Sequence, residues 1–271
     1  MKENIDVNLS RRFNSVVRLY NEEFFDFFRN SHVAVIGVGG VGSWVVEALA
    51  RTGIGNITMV DLDNISESNI NRQIHALSST IGKTKIFTMA ERILEINPAC
   101  NIVCKEEFVT SDNIDSILSD EYNVIIDCID QVIAKLSIVY FSMRKKFPLL
   151  VCGGAGGKTN PFSLKYGDIS LAKYDSLLSS LRHKIRKDIK FSNLVKSSYK
   201  DRSIRKIGLN ALWFEQHTVY PDNCSKTGLQ YGLACSGYGS VVTSTASMGF
   251  AASSIAINII EEEFRVKNPI N

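Results

Sequence analysis

The chain has 271 residues, of which 45% are apolar and 22% carry a charge. This composition is typical of a soluble globular protein with a core of ordinary size, and it excludes an intrinsically disordered chain. The net charge is only +3, so a polyanionic partner would need a local concentration of cations rather than the overall charge.

The chain contains six cysteines and no C-x-x-C pair; they are Cys100, Cys104, Cys128, Cys152, Cys224 and Cys235. Without that spacing we expect no bound zinc. No secretory signal opens the sequence, so we also expect reduced thiols and a cytoplasmic location.

Residues 240–260 contain no charged side chain and are numerous enough to span a bilayer. More than half of them are Ser, Thr, Ala or Gly, which keeps the mean hydropathy low. We interpret the segment as a buried helix that packs closely through small residues, and we expect no stable membrane insertion.

Strand and helix patterns alternate through the first half of the chain. Buried strands are predicted at 32–37, 57–61, 101–105, 123–128 and 149–154. Helices are predicted at 41–53, 82–98, 111–119 and 131–146. This alternation predicts an α/β fold, Rossmann-like, with a mostly parallel sheet and helices on both faces.

The pattern changes after Gly157, where segments become shorter and more polar. We therefore divide the chain into an N-terminal helical segment at 1–31, a nucleotide-binding domain at 32–157 and a smaller, strand-poor C-terminal lobe at 158–271. A single continuous domain is the alternative. The lobe contains a closing helix predicted at 240–263.

The sequence GVGGVG begins at Gly37, directly after the first predicted strand and before a helix. In this context Gly37 permits a tight turn, Gly39 lets the backbone approach a phosphate, and Gly42 lets helix and strand pack closely. Gly40 belongs to the same anion-binding turn at a helix N-terminus. Asp61 follows the next strand, where an acidic side chain binds ribose hydroxyls.

Three residues that follow this nucleotide motif, Asn69, Arg72 and Lys85, argue against a nicotinamide dinucleotide. A dinucleotide pyrophosphate is already held by backbone amides, whereas a triphosphate under attack needs cations where charge develops. The sequence contains no G-x-x-x-x-G-K-[ST] loop, so the site is not a standard P-loop.

The order of these motifs resembles that of a known superfamily. GVGGVGSWVVEALARTGIGNITMVDLD, NINRQ, GKTK and DCID occur in sequence between about residues 12 and 155, and together they resemble the ubiquitin-activating-type adenylating enzymes (the ThiF/MoeB/HesA superfamily). Within it, NRQIHAL, AERILEINP and GGAGGKTNP resemble the branch of tRNA threonylcarbamoyladenosine dehydratases.

The resemblance implies a set of side chains around ATP and Mg²⁺: Asp61, Asp63, Asn69, Arg72, Lys85 and Asp130. In the superfamily's scheme Asp61 binds the ribose, and Asn69 and Arg72 contact the phosphates. Lys85 neutralises the α-phosphate, and Asp130 holds Mg²⁺ or orients the triphosphate. Arg72, Lys85 and Asp130 are thus the predicted catalytic residues, whereas Asp127 either joins them or has a structural role.

The implied reaction is an ATP-dependent dehydration. The threonyl carboxylate of threonylcarbamoyladenosine, next to the anticodon of tRNA, is adenylated, and ring closure then expels AMP. One alternative is an activator of a ubiquitin-like sulfur-carrier protein, which the absence of paired C-x-x-C ligands disfavours. Another is a non-enzymatic scaffold in sulfur transfer that docks a cysteine desulfurase or sulfur acceptor.

Residues 182–206 contain ten Lys or Arg and two Asp. This charge pattern, with aromatic residues interspersed, is that of a nucleic-acid surface, although a solvated helix face is the alternative. The predicted tRNA-binding residues are Arg182, Lys184, Arg186, Lys187 and Lys190.

The resemblance also implies a homodimer and leaves a monovalent cation open. We expect the apolar run FFDFF at 24–28 to contribute to the dimer interface, and Arg12 or Arg18 to reach the partner's ATP site if either does. Cys235 is either a reactive thiol or a small buried one, and His75 either packs in a loop or acts as a base.

Overall fold

The computed structural model describes residues 8–188, 206–220 and 238–269, and within these ranges it contains a single seven-stranded sheet. The strands are β1 His32–Ile36, β2 Asn56–Val60, β3 Asn101–Lys105, β4 Val124–Asp127, β5 Leu149–Cys152, β6 Leu164–Asp168 and β7 Asn210–Phe214. The helices are α1 Leu9–Tyr20, α2 Glu22–Asn30, α3 Gly42–Thr52, α4 Lys85–Ile96, α5 Ile114–Ile117, α6 Val132–Lys145, α7 Ser176–Lys187 and α8 Val242–Lys267.

The strand order is β3-β2-β1-β4-β5-β7-β6, and every neighbouring pair is parallel except β6 and β7. The predicted mostly parallel α/β sheet is therefore confirmed. The chain progresses outward in opposite directions from β1, so the order reverses between β1 and β4. In sheets of this type ligands bind at the carboxyl ends of the strands that flank such a reversal.

Alternating side chains of β1 supply the two cores that sandwich the sheet. Val33 and Val35 pack in the cluster that includes α3, α4 and α8, while Ala34 and Ile36 pack in the one that includes α5, α6 and α7. Both faces of the strand are thus buried, which explains why its sequence is an uninterrupted apolar run.

The aromatic run in α2 is used inside the chain. Phe24 and Phe28 are buried, with Tyr20 and Phe264 against them. Phe24 and Phe28 are therefore enclosed by rings of their own chain, and the contribution of FFDFF to a dimer interface stays a prediction for Phe25 and Phe27. Sequence periodicity could not reveal this contact between the two ends of the chain.

Two strands of the C-terminal half, β6 and β7, extend the same sheet beyond β5. This shared sheet favours the alternative of one continuous domain. The closing helix is present as α8, and it packs on α3 so closely that a Cβ on Gly249 would lie 2.6 Å from Trp44 Cβ. Within the described ranges, no helix is both long and apolar enough to cross a bilayer.

Candidate nucleotide-binding site

A cleft of about 370 Å³ lies at the carboxyl ends of the central strands, beside the reversal between β1 and β4. The structure brings nine of the ten predicted nucleotide-site residues to its walls, although they span 94 positions of sequence from first to last. These nine are Gly37, Gly39, Gly40, Asp61, Asp63, Asn69, Arg72, Lys85 and Asp130.

The glycine turn is built as its sequence predicts. Gly37 has φ +88°, a left-handed conformation that favours glycine, and a Cβ on Gly42 would lie 1.8 Å from the Gly37 carbonyl oxygen. Gly42, which is the tenth predicted residue, therefore serves the packing of α3 on β1 rather than the cleft wall. Above Gly39 the space is open, since a Cβ there would meet only the Gln73 amide at 3.9 Å.

Asp61 is fixed at the end of β2 by two backbone amides. Its Oδ2 accepts from the Val38 N–H at 2.7 Å and its Oδ1 from the Asp63 N–H at 2.9 Å. Burial raises the pKa of Asp61, and the nearby Lys85 charge and the two hydrogen bonds oppose that increase. The carboxylate is thus held rigidly between the glycine turn and the next loop.

Lys85 is the first residue of α4, and only 5% of it is exposed. Its Nζ donates to Asp63 Oδ2 at 2.7 Å, and the Asp63 side chain is 58% exposed. A buried ammonium at the edge of a cleft is strongly attracted to an incoming phosphate, because little water screens it. Asp63 holds the amine in position beside the cleft.

Hydrogen bonds attach the segment around Arg72 to both α3 and α8. The Arg72 carbonyl accepts from Trp44 Nε1 at 3.0 Å and from Thr245 Oγ1 at 3.3 Å. Its guanidinium Nη1 donates to the Ser68 carbonyl at 2.8 Å. Asn69 is buried beside it, and its Oδ1 accepts from the Ser66 N–H in a capping box.

The two acidic residues of DCID have different environments. Asp130 is exposed at the cleft, which suits Mg²⁺, a cation that keeps several waters and binds few carboxylates. Asp127 is fully buried and pairs with Lys135 Nζ at 3.1 Å, and that amine also donates to the Cys152 carbonyl at 2.8 Å. Of the two alternatives for Asp127, the geometry favours the structural role, because its pair with Lys135 joins β4, β5 and α6.

Sequence reasoning missed two walls of the cleft. Phe108 and Val109, in the loop after β3, line the end next to Asp61, and Phe108 is 57% exposed. The opposite wall is the glycine-rich stretch 153–156, together with Leu177 of α7. The glycines of the motif GGAGGK are a sequence signal for the second wall. Nothing in the sequence, however, indicates which strand lies opposite this wall.

His75 lies outside this cleft and is buried. Burial, reinforced by the charges of Lys85 and Arg92, lowers the pKa of His75 to about 4. The imidazole is therefore neutral near pH 7.

Arg12 is engaged within its own chain, because its Nη1 donates to the carbonyls of Glu95 and Ile96 at 2.6 and 2.8 Å.

The described part of the basic segment comprises the second half of α7, together with Asp188 and Lys206. Arg182 points inward, since its Nη1 donates to the Ile169 and Ala172 carbonyls at 3.1 and 2.9 Å. Its guanidinium is thus partly engaged within its own chain, and its place on a tRNA surface stays a prediction. The other cations of this helix are exposed, and we call them the α7 cations: Lys184, Arg186 and Lys187. Lys190 and Cys235 lie outside the described residues.

The comparisons with known proteins extend over nearly the whole chain. The model of the ThiF family matches residues 10–268. The tRNA threonylcarbamoyladenosine dehydratase of Haemophilus influenzae is 38% identical over 93% of this chain and 94% of its own length. That of Escherichia coli is 38% identical over 91% of this chain and 92% of its own length.

The structure of E. coli TcdA in complex with ATP matches this fold with a TM-score of 0.83 at 35% identity. The match covers 96% of this chain and 97% of that one. The resemblance to the adenylating superfamily is thereby confirmed: the chain belongs to the ThiF family.

Proposed function

We propose that this protein is an ATP-dependent tRNA threonylcarbamoyladenosine dehydratase. The observation that carries the proposal is the cleft itself, in which a glycine turn, a buried lysine and an arginine converge. It is supported by 38% identity to curated dehydratases along more than nine tenths of this chain. We further propose the cytoplasm as its location.

In the proposed first step, an oxygen of the threonyl carboxylate attacks the α-phosphorus of ATP. The bond from that phosphorus to the bridging oxygen breaks, and pyrophosphate leaves. Two anions approach each other in this step, so it requires positive charge at the α-phosphate of the transferred adenylyl group. Lys85 supplies a buried point charge and Arg72 a planar donor that grips two oxygens.

The second step closes the ring and needs no further ATP. A nucleophile within the modified nucleoside attacks the activated carbonyl carbon, and AMP leaves with the carboxylate oxygen. The net change in the nucleoside is the loss of one water. Activation matters because a free carboxylate is a poor electrophile, whereas its adenylate has a good leaving group.

Mg²⁺ belongs to the same proposal, with Asp130 as the protein ligand. The ion would neutralise phosphate oxygens and the departing pyrophosphate. A monovalent cation, a homodimer and a sulfur-transfer partner such as a cysteine desulfurase complete the proposal. Sedimentation of the purified protein tests the dimer directly.

The α7 cations are proposed to hold tRNA phosphates, and residues 189–205, outside the described ranges, supply further cations. Phosphate contacts of this kind make affinity fall steeply as salt rises. Replacing the three α7 cations by Ala should weaken tRNA binding and flatten the salt dependence. If the slope against salt stays unchanged, these side chains form only a solvated helix face.

The decisive experiment supplies ATP, Mg²⁺ and tRNA from a strain that lacks the activity. Mass analysis of the nucleosides should show threonylcarbamoyladenosine losing one water, with AMP formed in equal amount. A Lys85→Met variant is the negative control. Adenylation of a sulfur-carrier protein, with the tRNA unchanged, would instead establish the alternative function.

A further inference from the structure

One buried carboxylate connects the wall of the nucleotide cleft to the helix that carries the α7 cations. Asp175 lies immediately before α7, and its Oδ1 accepts from the Leu178 N–H at 2.8 Å as a helix cap. Its Oδ2 accepts from the Gly154 N–H, also at 2.8 Å. Gly154 lies 21 positions earlier, in the cleft wall.

The wall and the carboxylate fit each other without spare room. A Cβ on Gly153 would lie 2.1 Å from Asp175 Oδ2, so only glycine allows this approach. The Gly153 N–H donates to the Leu212 carbonyl at 2.8 Å, which fixes the same stretch to β7. The bond to Gly154 is therefore a close contact between two well-fixed segments.

Helix α7 is anchored at three points along its length. Asp175 holds its beginning, and Arg182 attaches its middle to the carbonyls of the turn at 169–171 and of Ala172. At its end, Asp188 accepts a hydrogen bond from the Tyr140 hydroxyl on α6. A helix of 12 residues is about 18 Å long. It therefore forms a rigid strut that leads from the cleft to the α7 cations.

We propose that Asp175 is a positioning residue for the adenylation step. It fixes the cleft wall at Gly154 relative to α7, so that tRNA held by the α7 cations presents its carboxylate to the α-phosphorus. This inference rests on the proposed function and adds a residue to it. Asp175 contacts neither substrate itself; it acts through the two elements that do.

An ordinary helix cap explains only half of this geometry. A cap needs one acceptor oxygen, and Oδ1 provides it. Burial raises the pKa of Asp175, because a carboxylate charge is costly to bury. The second carboxylate oxygen would add to this cost if it had no hydrogen bond, and the Gly154 N–H supplies one. Serine is an equally good cap but is too short to reach Gly154 as well, so it separates the two roles.

The experiment compares Asp175→Ser and Asp175→Asn with the wild type in single-turnover formation of AMP on tRNA. Serine keeps the cap and loses the wall bond. Asparagine accepts with only one of its two terminal atoms, so it loses one of the two bonds in either orientation. We expect ATP and tRNA affinities within about threefold of wild type. The rate should fall by at least about tenfold, because small displacements of reacting groups cost rate steeply.

Asp168→Asn is the matched control. Asp168 also accepts backbone amides, from Ser170 at 2.8 Å and from Gly208 at 2.6 Å, but it does not line the cleft. This variant should turn over at the wild-type rate. Thermal unfolding of all variants shows whether a rate loss follows a general loss of stability.

A wild-type rate in Asp175→Ser would overturn the positioning role. The role would also be overturned if Asp175→Ser lost ATP affinity by the same factor as rate and Asp168→Asn lost rate to the same extent. If the wild type itself forms no dehydrated nucleoside, the proposed function fails and this inference fails with it. An active wild type with an unaffected Asp175→Ser refutes the inference alone.

Discussion

Replacing Lys85 by Met tests whether the buried ammonium of the cleft acts on the α-phosphate. Met fills the same space without charge, so packing at the start of α4 is retained. The ion pair that is lost involves Asp63, whose side chain is 58% exposed. Water can therefore solvate the remaining carboxylate, and the change in unfolding free energy should be no more than about 1 kcal/mol.

The effect on adenylation should be much larger. Lys85 is 5% exposed, so its charge acts in a poorly screened environment. Two charges about 4 Å apart at an effective dielectric of about 20 interact by roughly 4 kcal/mol. Loss of one donor to a developing charge typically costs about 3 kcal/mol in the transition state, or roughly 10²-fold in rate.

The assay is pyrophosphate release in the presence of ATP, Mg²⁺ and tRNA, measured together with thermal unfolding. Lys83→Met is the matched control, because Lys83 is an exposed lysine two residues away. The control should retain the wild-type rate. A Lys85→Met protein that adenylates at a near-wild-type rate would refute the reasoning. So would a variant whose rate loss follows from unfolding.

Three further results follow from the structure. Arg72→Lys keeps the charge but loses the planar fork, so adenylation should fall roughly tenfold while the protein stays folded, in contrast to a wild-type rate if charge alone mattered. Gly42→Ala should lower the free energy of unfolding by about 3 kcal/mol or more, because the new Cβ would lie 1.8 Å from a backbone atom. Urea unfolding measures this change. In the control Gly167→Ala, where the new Cβ would have no neighbour nearer than 3.7 Å, the free energy of unfolding should stay within about 1 kcal/mol of wild type. Burial by itself raises the pKa of Glu47, but Arg92 and Arg51 outweigh it and lower that pKa below its ordinary 4.5. The stability from Glu47 is therefore complete above about pH 4.5 and is lost as pH falls through the lower folded value, so Glu47→Gln should flatten the stability profile there; an unchanged profile would contradict the assignment.

The central sheet and the glycine turn were predictable because their determinants are local. An apolar run such as β1 and a glycine spacing such as that from Gly37 to Gly42 encode strand, turn and helix within a few residues. Arg72 and Lys85 could be predicted for another reason. A cation that follows a nucleotide-binding turn has a chemical role, the neutralisation of phosphate charge, that a packing residue lacks.

What the sequence did not reveal depends on contacts between distant segments. Phe108 reaches the cleft because β3 is parallel to β2, and Asp175 contacts the cleft wall from behind because α7 begins beside Gly154. Arg182 resembled its cationic neighbours until its carbonyl partners were seen. In each case the residue type was compatible with several roles, and only the three-dimensional pairing selects one.

The buried pair of Asp127 and Lys135 has a consequence for how this chain can evolve. Each partner is completely enclosed, so losing either one strands a charge in the core and costs about 3–5 kcal/mol. Exchanging both for apolar residues of similar volume is often neutral or even stabilising. We therefore expect the two positions to change together: sequences with both charges or with neither should be viable, whereas a sequence with one charge would pass through a loss of stability that few marginally stable proteins survive.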